Sequence, residues 1–231
     1  MNSGKYVFSG LVEFLPQKEF YKMVKRYNAD KWTKRVSCWN QLLLMMFGQL
    51  SGCDSLRELV CIVAAHQKKS YHLGFGKGII ARSTLEYANA HRDYRLYEEF
   101  AYYMTSLAQS KRIDSEFVLN GQAKDIAMLY KQRWQVELFF RWIKQHLQVK
   151  SFWGNTENAV RIQIYVAIIT YCLVAIVEHD CKLGRSTFNV LRVLNLSLLD
   201  KTPIPDLFKN HEKLDDRYVD DCMQLKLKFE Y

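Results

Sequence analysis

A mainly α-helical fold is what this sequence predicts, and three observations carry that expectation. Only 3 of 231 residues are proline, so long stretches lack the residue that breaks helices. Apolar residues recur at helical spacing, as in Leu56, Leu59, Val60 and Val63. Serines stand just ahead of several such stretches, where a hydroxyl can accept from the first free backbone N–H groups. Hydrophobic residues make up 49% of the chain, enough for a core and against disorder.

Taken in order, Leu11–Phe14 and Phe20–Tyr27 predict short amphipathic helices parted by Pro16. Ser37 is placed to cap a strongly apolar helix from Trp39 to Leu50, closed by Gly52. Asp54 or Ser55 caps the next helix. Residues 68–81, with glycines at 74, 76 and 78, predict a flexible connector, because no Gly-Lys-Ser/Thr follows to make a phosphate loop. Ser83, with Glu86 three residues on, predicts a capping box for another helix, whose ends carry Arg82, Arg92 and Arg95. A helix, a loop and a second helix edged by arginines is compatible with a helix-turn-helix-like DNA reader. Tyr94–Ala108 continues as a helix with an aromatic face of Tyr97, Phe100, Tyr102 and Tyr103.

Lys111–Asp114 marks a boundary. After it, residues 116–120 (EFVLN) form the one convincing strand. A long helix is predicted from Ala123 to Val149, Gly154 interrupts the pattern, and a further helix runs from Thr156 to His179. Ser186 caps a helix reaching Leu198, Thr202-Pro203 opens a last short one, and the tail from residue 210 is loosely held. This organises the chain as 1–112, a helical, basic, DNA-binding region; 113–209, a second unit; and 210–231, a tail.

The formal net charge is +9 and the pI about 9.2. Residues 1–112 hold 17 Lys/Arg against 9 Asp/Glu, so +8 of the +9 lies in the front half. That half is the candidate for a phosphate-contacting surface, the charge favouring an anionic partner, either nucleic acid or an acidic membrane surface. The six cysteines form no Cys-x-x-Cys pair. They read as small, mostly buried apolar residues in a reducing compartment, which with the start Met1–Lys5 points to the cytoplasm. Ile162–Val177 is a 16-residue apolar run. It is shorter than the roughly 20 residues a bilayer needs, so a buried core helix is expected and no membrane partner.

The predicted helix 123–149 contains YKQRWQVELFFRWIKQHL. At about 100° per residue, Tyr130, Arg133, Glu137 and Lys144 fall within roughly 60° of one another. One stripe thus presents a phenol, a guanidinium, a carboxylate and an ammonium. Spacing alone favours the plainer reading, a salt-bridged helix face with an Arg133–Glu137 pair worth a few tenths of a kcal/mol.

The full Tyr-x2-Arg-x3-Glu-x6-Lys string resembles the signature around the last catalytic carboxylate of DDE insertion-sequence transposases of the IS-four type. The segment WIKQHLQVKSFWGNTENAV resembles that family's continuation. So do KYVFSGLVEFLP, SCWNQLLLMMFGQLSGCDSLREL and YHLGFGKGIIARSTLEYANAHRDYR, which are similar to its N-terminal helical region. The resemblance implies that 113–209 is the remnant of an RNase H-like α/β catalytic domain, one strand followed by long helices. It implies that Glu137 is the catalytic, metal-binding carboxylate, with Mg²⁺ as cofactor. It implies that Tyr130, Arg133 and Lys144 contact DNA near the cleaved end. Arg82 and Arg92 are the front-half DNA-binding candidates. The partner is DNA at transposon-end inverted repeats, in a bacterial cytoplasm, and a homo-oligomer is compatible with this.

The family needs two aspartates as well, on earlier strands. Only one strand precedes the Glu137 helix here, and residues 103–117 leave no room for others. The nearest candidates are Asp114 and Asp125. Asp125 lies twelve residues before Glu137, about 120° around the helix, so the two share no face. The junction near 112–116 reads as a deletion joining two family blocks, predicting no transposition by this chain alone. Loss of the covering strands should expose Phe139 and Trp142 or force a largely helical repacking. Two alternatives remain at this stage: a helical DNA-binding protein without catalysis, and a helical membrane-associated protein.

Overall fold

Short polar side chains cap four of the described helices. The computed structural model describes residues 4–31, 33, 35–76, 78, 80–113 and 152–209. The strand expected at 116–120, the helix 123–149 and the tail from 210 lie outside them. The described residues are mainly α-helical, with no strand among them.

Two short helices, α1 (Val7–Val12) and α2 (Gln17–Arg26), flank Pro16, the residue just before α2. The first begins earlier than the apolar spacing suggested, because Val7 N–H and Phe8 N–H donate to the carbonyls of Asp200 and Leu198 at 2.9 and 3.1 Å. Distant chain, not a local cap, satisfies those free donors.

Ser37 accepts from Asn40 N–H and starts α3 (Cys38–Leu50). Gly52, at φ +70°, ends it. Cys53 N–H reaches Gly48 C=O at 3.0 Å and Gly52 N–H reaches Gln49 C=O at 3.4 Å, the paired bonds of a Schellman end. Ser55 caps α4 (Leu56–Ala65) through Glu58 N–H, while Glu58 Oε2 accepts from Asp54 N–H at 2.8 Å. Such caps each stabilise a helix by about 1 kcal/mol.

The 68–81 stretch departs from a plain connector. It begins within a short helix, α5 (Gln67–Ser70), and buries Leu73 and Phe75. Phe75 packs on Phe8 and Phe47 at ring-centroid distances of 5.5 and 5.4 Å, and Asn40 Nδ2 donates to Gly74 C=O at 2.8 Å. Gly74 and Gly76 sit at φ +84° and +90°, where a Cβ is strained.

The Ser83–Glu86 capping box does not form. Helix α6 (Arg82–His91) starts after Ala81, with no side-chain cap, which puts Ser83 inside the first turn. Glu86 instead accepts from Arg82 Nε at 2.7 Å. Helix α7 (Arg95–Ile113) runs through Lys111–Ile113. Its aromatic residues do not share one face: Tyr97 and Phe100 are fully buried, whereas Tyr102 is exposed.

Thr156 accepts from Ala159 N–H and starts α8 (Glu157–Asp180). Ser186 likewise starts α9 (Thr187–Ser197), and α10 (Ile204–Lys209) follows Pro203. By length and composition α8 is apolar enough to cross a membrane, but it lies against α3, α6, α7 and α9. Its residues Ile162, Val166, Ile169, Leu173 and Val177 are buried there.

Helices α7 and α8 lie side by side and run parallel. Asn158, at the start of α8, bonds the carbonyl just before α7. Tyr165 donates to Glu98, Thr105 Oγ1 meets Cys172 Sγ at 3.6 Å, and Lys111 pairs with Asp180 at the far ends. One hydrophobic cluster contains residues from α1 through α10, so described segments either side of 114–151 share a core. Cys38, Cys53 and Cys172 are buried in it, Cys181 is half-buried, and Cys61 is exposed.

Candidate nucleic-acid interface

Tyr130, Arg133, Glu137 and Lys144 lie outside the described residues, as do Asp114, Asp125, Phe139 and Trp142. Of the residues singled out for DNA, Arg82 and Arg92 can be placed. They stand at opposite ends of α6, about 15 Å apart at 1.5 Å per residue.

Arg92 faces inward. Its side chain is 10% exposed. Nη1 donates to Gln41 Oε1 at 2.6 Å, and Nη2 to Thr33 Oγ1 at 3.2 Å and to the Val36 carbonyl. Asp30 Oδ1 lies 3.9 Å away and also accepts from Cys38 N–H at 2.8 Å. One guanidinium thus pins the connector between α2 and α3 to the end of α6.

The bonds continue inward. Tyr97 OH donates to Gln41 Oε1 at 2.9 Å, and Gln41 Nε2 to Asn89 Oδ1 at 2.6 Å. Asn158 Nδ2 donates to the carbonyls of Asn89 and Arg92 at 2.8 and 2.6 Å. The buried amides and phenol are therefore partnered, which low-dielectric surroundings demand. Burial pushes the Cys38 thiol up to about 12, against the opposing pull of Arg92, so it stays protonated and inert. Burial also raises the Tyr97 phenol well above its ordinary value, leaving it a neutral donor.

Arg82 faces outward. It is more than half exposed, and its Glu86 partner is also solvated, so the pair contributes little to stability. It borders a cleft of about 270 Å³ shared with Asn155 and Thr156 at the start of α8.

A larger recess of about 530 Å³ opens between the α2–α3 connector and the outer face of α6. Lys31 and Arg35 are exposed on one wall, and Tyr87 and His91 on the other. None of the described residues lining it is acidic. The Tyr87 and His91 rings are stacked, centroids 4.0 Å apart and planes 19° apart. His91 Nδ1 lies 3.0 Å from the Tyr87 carbonyl, to which a protonated Nδ1 donates. Charge counting found the basic front but not this grouping. Its only trace in sequence is the four-residue step from Tyr87 to His91 and the basic run ahead of Ser37.

Two family models match the chain. Residues 3–76 match a domain of unknown function, DUF4372, and residues 62–173 match the transposase DDE domain. Curated relatives agree with the second. A putative transposase, y4zB, of Sinorhizobium fredii is 54% identical over 71 residues, 31% of this chain and 19% of that protein. The probable transposase for insertion sequence element IS5377 of Geobacillus stearothermophilus is 50% identical over 56 residues, 24% of this chain and 15% of the relative. The putative transposase for insertion sequence element IS4SA of a Synechocystis species is 29% identical over 132 residues, 57% of this chain and 36% of the relative.

The chain is similar to the insertion-sequence DDE transposases. Its matches span between 15% and 36% of the length of these relatives. No solved structure matches the chain. DDE transposases generally depend on a divalent metal. Among the described residues no group of three His, Cys, Asp or Glu gathers that could hold one. Glu137, the carboxylate expected to hold such an ion, lies outside the described residues.

Proposed function

We propose that this chain engages transposon-end DNA through its basic front half and carries out no strand cleavage or transfer by itself. The match to the transposase DDE domain across residues 62–173 is the observation that carries this reading. That stretch contains the whole Tyr130, Arg133, Glu137 and Lys144 row. In this reading 113–209 descends from an RNase H-like domain of the IS-four type, and 1–112 is the DNA-binding unit. Glu137 is the surviving catalytic carboxylate, with Mg²⁺ as its cation. Tyr130, Arg133 and Lys144 hold phosphates near the cleaved end, and Arg82 adds a contact from the solvated end of α6. Arg92, for all its charge, serves the frame.

Strand cleavage at a phosphodiester uses two divalent cations about 3.5–4 Å apart, held by several carboxylates. One carboxylate without the two aspartates falls short of that set, which is the physical reason for expecting a defective enzyme. The buried position of α8 supports a cytoplasmic protein and not a membrane partner. Purified chain incubated with DNA carrying the element's inverted repeats and Mg²⁺ or Mn²⁺ should shift the DNA and leave it uncut. Cleavage that Glu137→Gln abolishes would overturn the defect. Failure to bind any DNA at low salt would overturn the DNA reading as a whole.

A further inference from the structure

We propose that the recess between the α2–α3 connector and α6 takes an unpaired base of a DNA strand, stacked on Tyr87, with adjacent phosphates on Lys31 and Arg35. The proposal rests on the DNA reading above and goes beyond it by naming where on the front half a strand sits and what part of it is held.

Four observations meet here. Tyr87 is 67% exposed, although an aromatic ring in water leaves a large apolar face unsatisfied. Its ring is held by the stack on His91, so it presents a fixed platform and loses little freedom on binding. The recess is about 530 Å³, roomy enough for a base with its sugar, and it is open to solvent. Its opposite wall carries the exposed cations Lys31 and Arg35, and no carboxylate among the described lining residues is there to repel a phosphate. An aromatic platform facing cations is the arrangement that holds single strands, because every base has a π-face and every linkage a charge. A paired base in a duplex cannot reach such a platform, so the site discriminates frayed or overhanging ends from blunt ones.

The internal network keeps the two walls at their spacing. Arg92 ties Thr33 and Val36 of the connector to the end of α6 that carries His91. Neither Tyr87 nor His91 takes part in that network, so Tyr87 can be altered while the frame stays intact.

The test measures binding of the full chain to one fluorescein-labelled duplex in two forms, blunt and with a short single-stranded overhang, at low salt. Wild type should favour the overhang. Tyr87→Ala should cut overhang affinity about tenfold and leave blunt-duplex affinity and melting temperature unchanged. Tyr87→Phe should retain the preference, since the ring and not the hydroxyl stacks. Arg35→Ala should weaken both forms alike, as a phosphate contact does. Equal affinity for the two forms, or a preference that survives Tyr87→Ala, overturns the proposal alone. No binding of either form overturns the DNA reading and this proposal with it.

Discussion

Arg82 and Arg92 stand at the two ends of the same ten-residue helix and meet opposite surroundings. Arg82 lies in water beside Glu86, where solvent screens the pair. Arg92 is buried and donates to three partners on the connector and on α3. Both looked alike as cations near a helix end. What separates them is whether other chain folds over that end, and here Asp30, Thr33 and Val36 do. The basic front half therefore divides into charge that holds the fold, as at Arg92, and charge exposed to solvent, as at Arg82.

The sharpest way to break the comparison is to delete each guanidinium. Arg92→Ala should lower unfolding free energy by about 3 kcal/mol, read as a urea midpoint, because it strands the Val36 carbonyl and the charge on Asp30. Next comes Gly48→Ala on the buried side. An added Cβ would lie 2.6 Å from the Trp153 ring, and a loss of about 1–3 kcal/mol is expected by the same measurement. Asn158→Ala removes two hydrogen bonds that tie α8 to the end of α6, and about 1–2 kcal/mol is expected.

Acid should act more gently, on two carboxylates that guard the ends of α7. Hydrogen bonding to Arg95 holds Asp93 below its ordinary value of 3.8. For Asp180, partial burial pulls upward, but the bonds from Lys111 and His179 outweigh it and leave the group lowered from 3.8. A lowered carboxylate contributes stability that is present above the unfolded value. That contribution fades as pH falls through the folded one, here below about pH 4. Unfolding midpoints taken from pH 6 to pH 2 should show that fall, flattened in Asp93→Asn and Asp180→Asn. The smallest effect belongs to Arg82→Ala. Its stability should stay within about 0.5 kcal/mol of wild type while DNA affinity drops.

Much of the frame was legible because caps and period act locally. Ser37, Ser55 and Ser186 accept where such residues do, and Gly52 closes α3. Apart from the start of α6, what failed had a tertiary cause. Ser83 has a capping pattern, yet the helix starts at Arg82, two residues before a Ser83 cap would start it, and Glu86 accepts from Arg82 instead. Val7 starts α1 early because carbonyls near residue 200 accept its amide, which no window around Val7 reveals. The parallel pairing of α7 with α8 joins residues about 67 apart and is equally invisible to local pattern. The recess escaped for the same reason, since its cations and its stacked rings come from segments more than fifty residues apart.

Salt titration of DNA binding by the full chain tests the division of charge most directly. With a phosphate-contacting outer surface, log affinity should fall linearly as log salt rises, and Arg35→Ala should make that slope shallower by about one. A wild-type affinity indifferent to salt, or a slope that Arg35→Ala and Arg82→Ala both leave untouched, would contradict it.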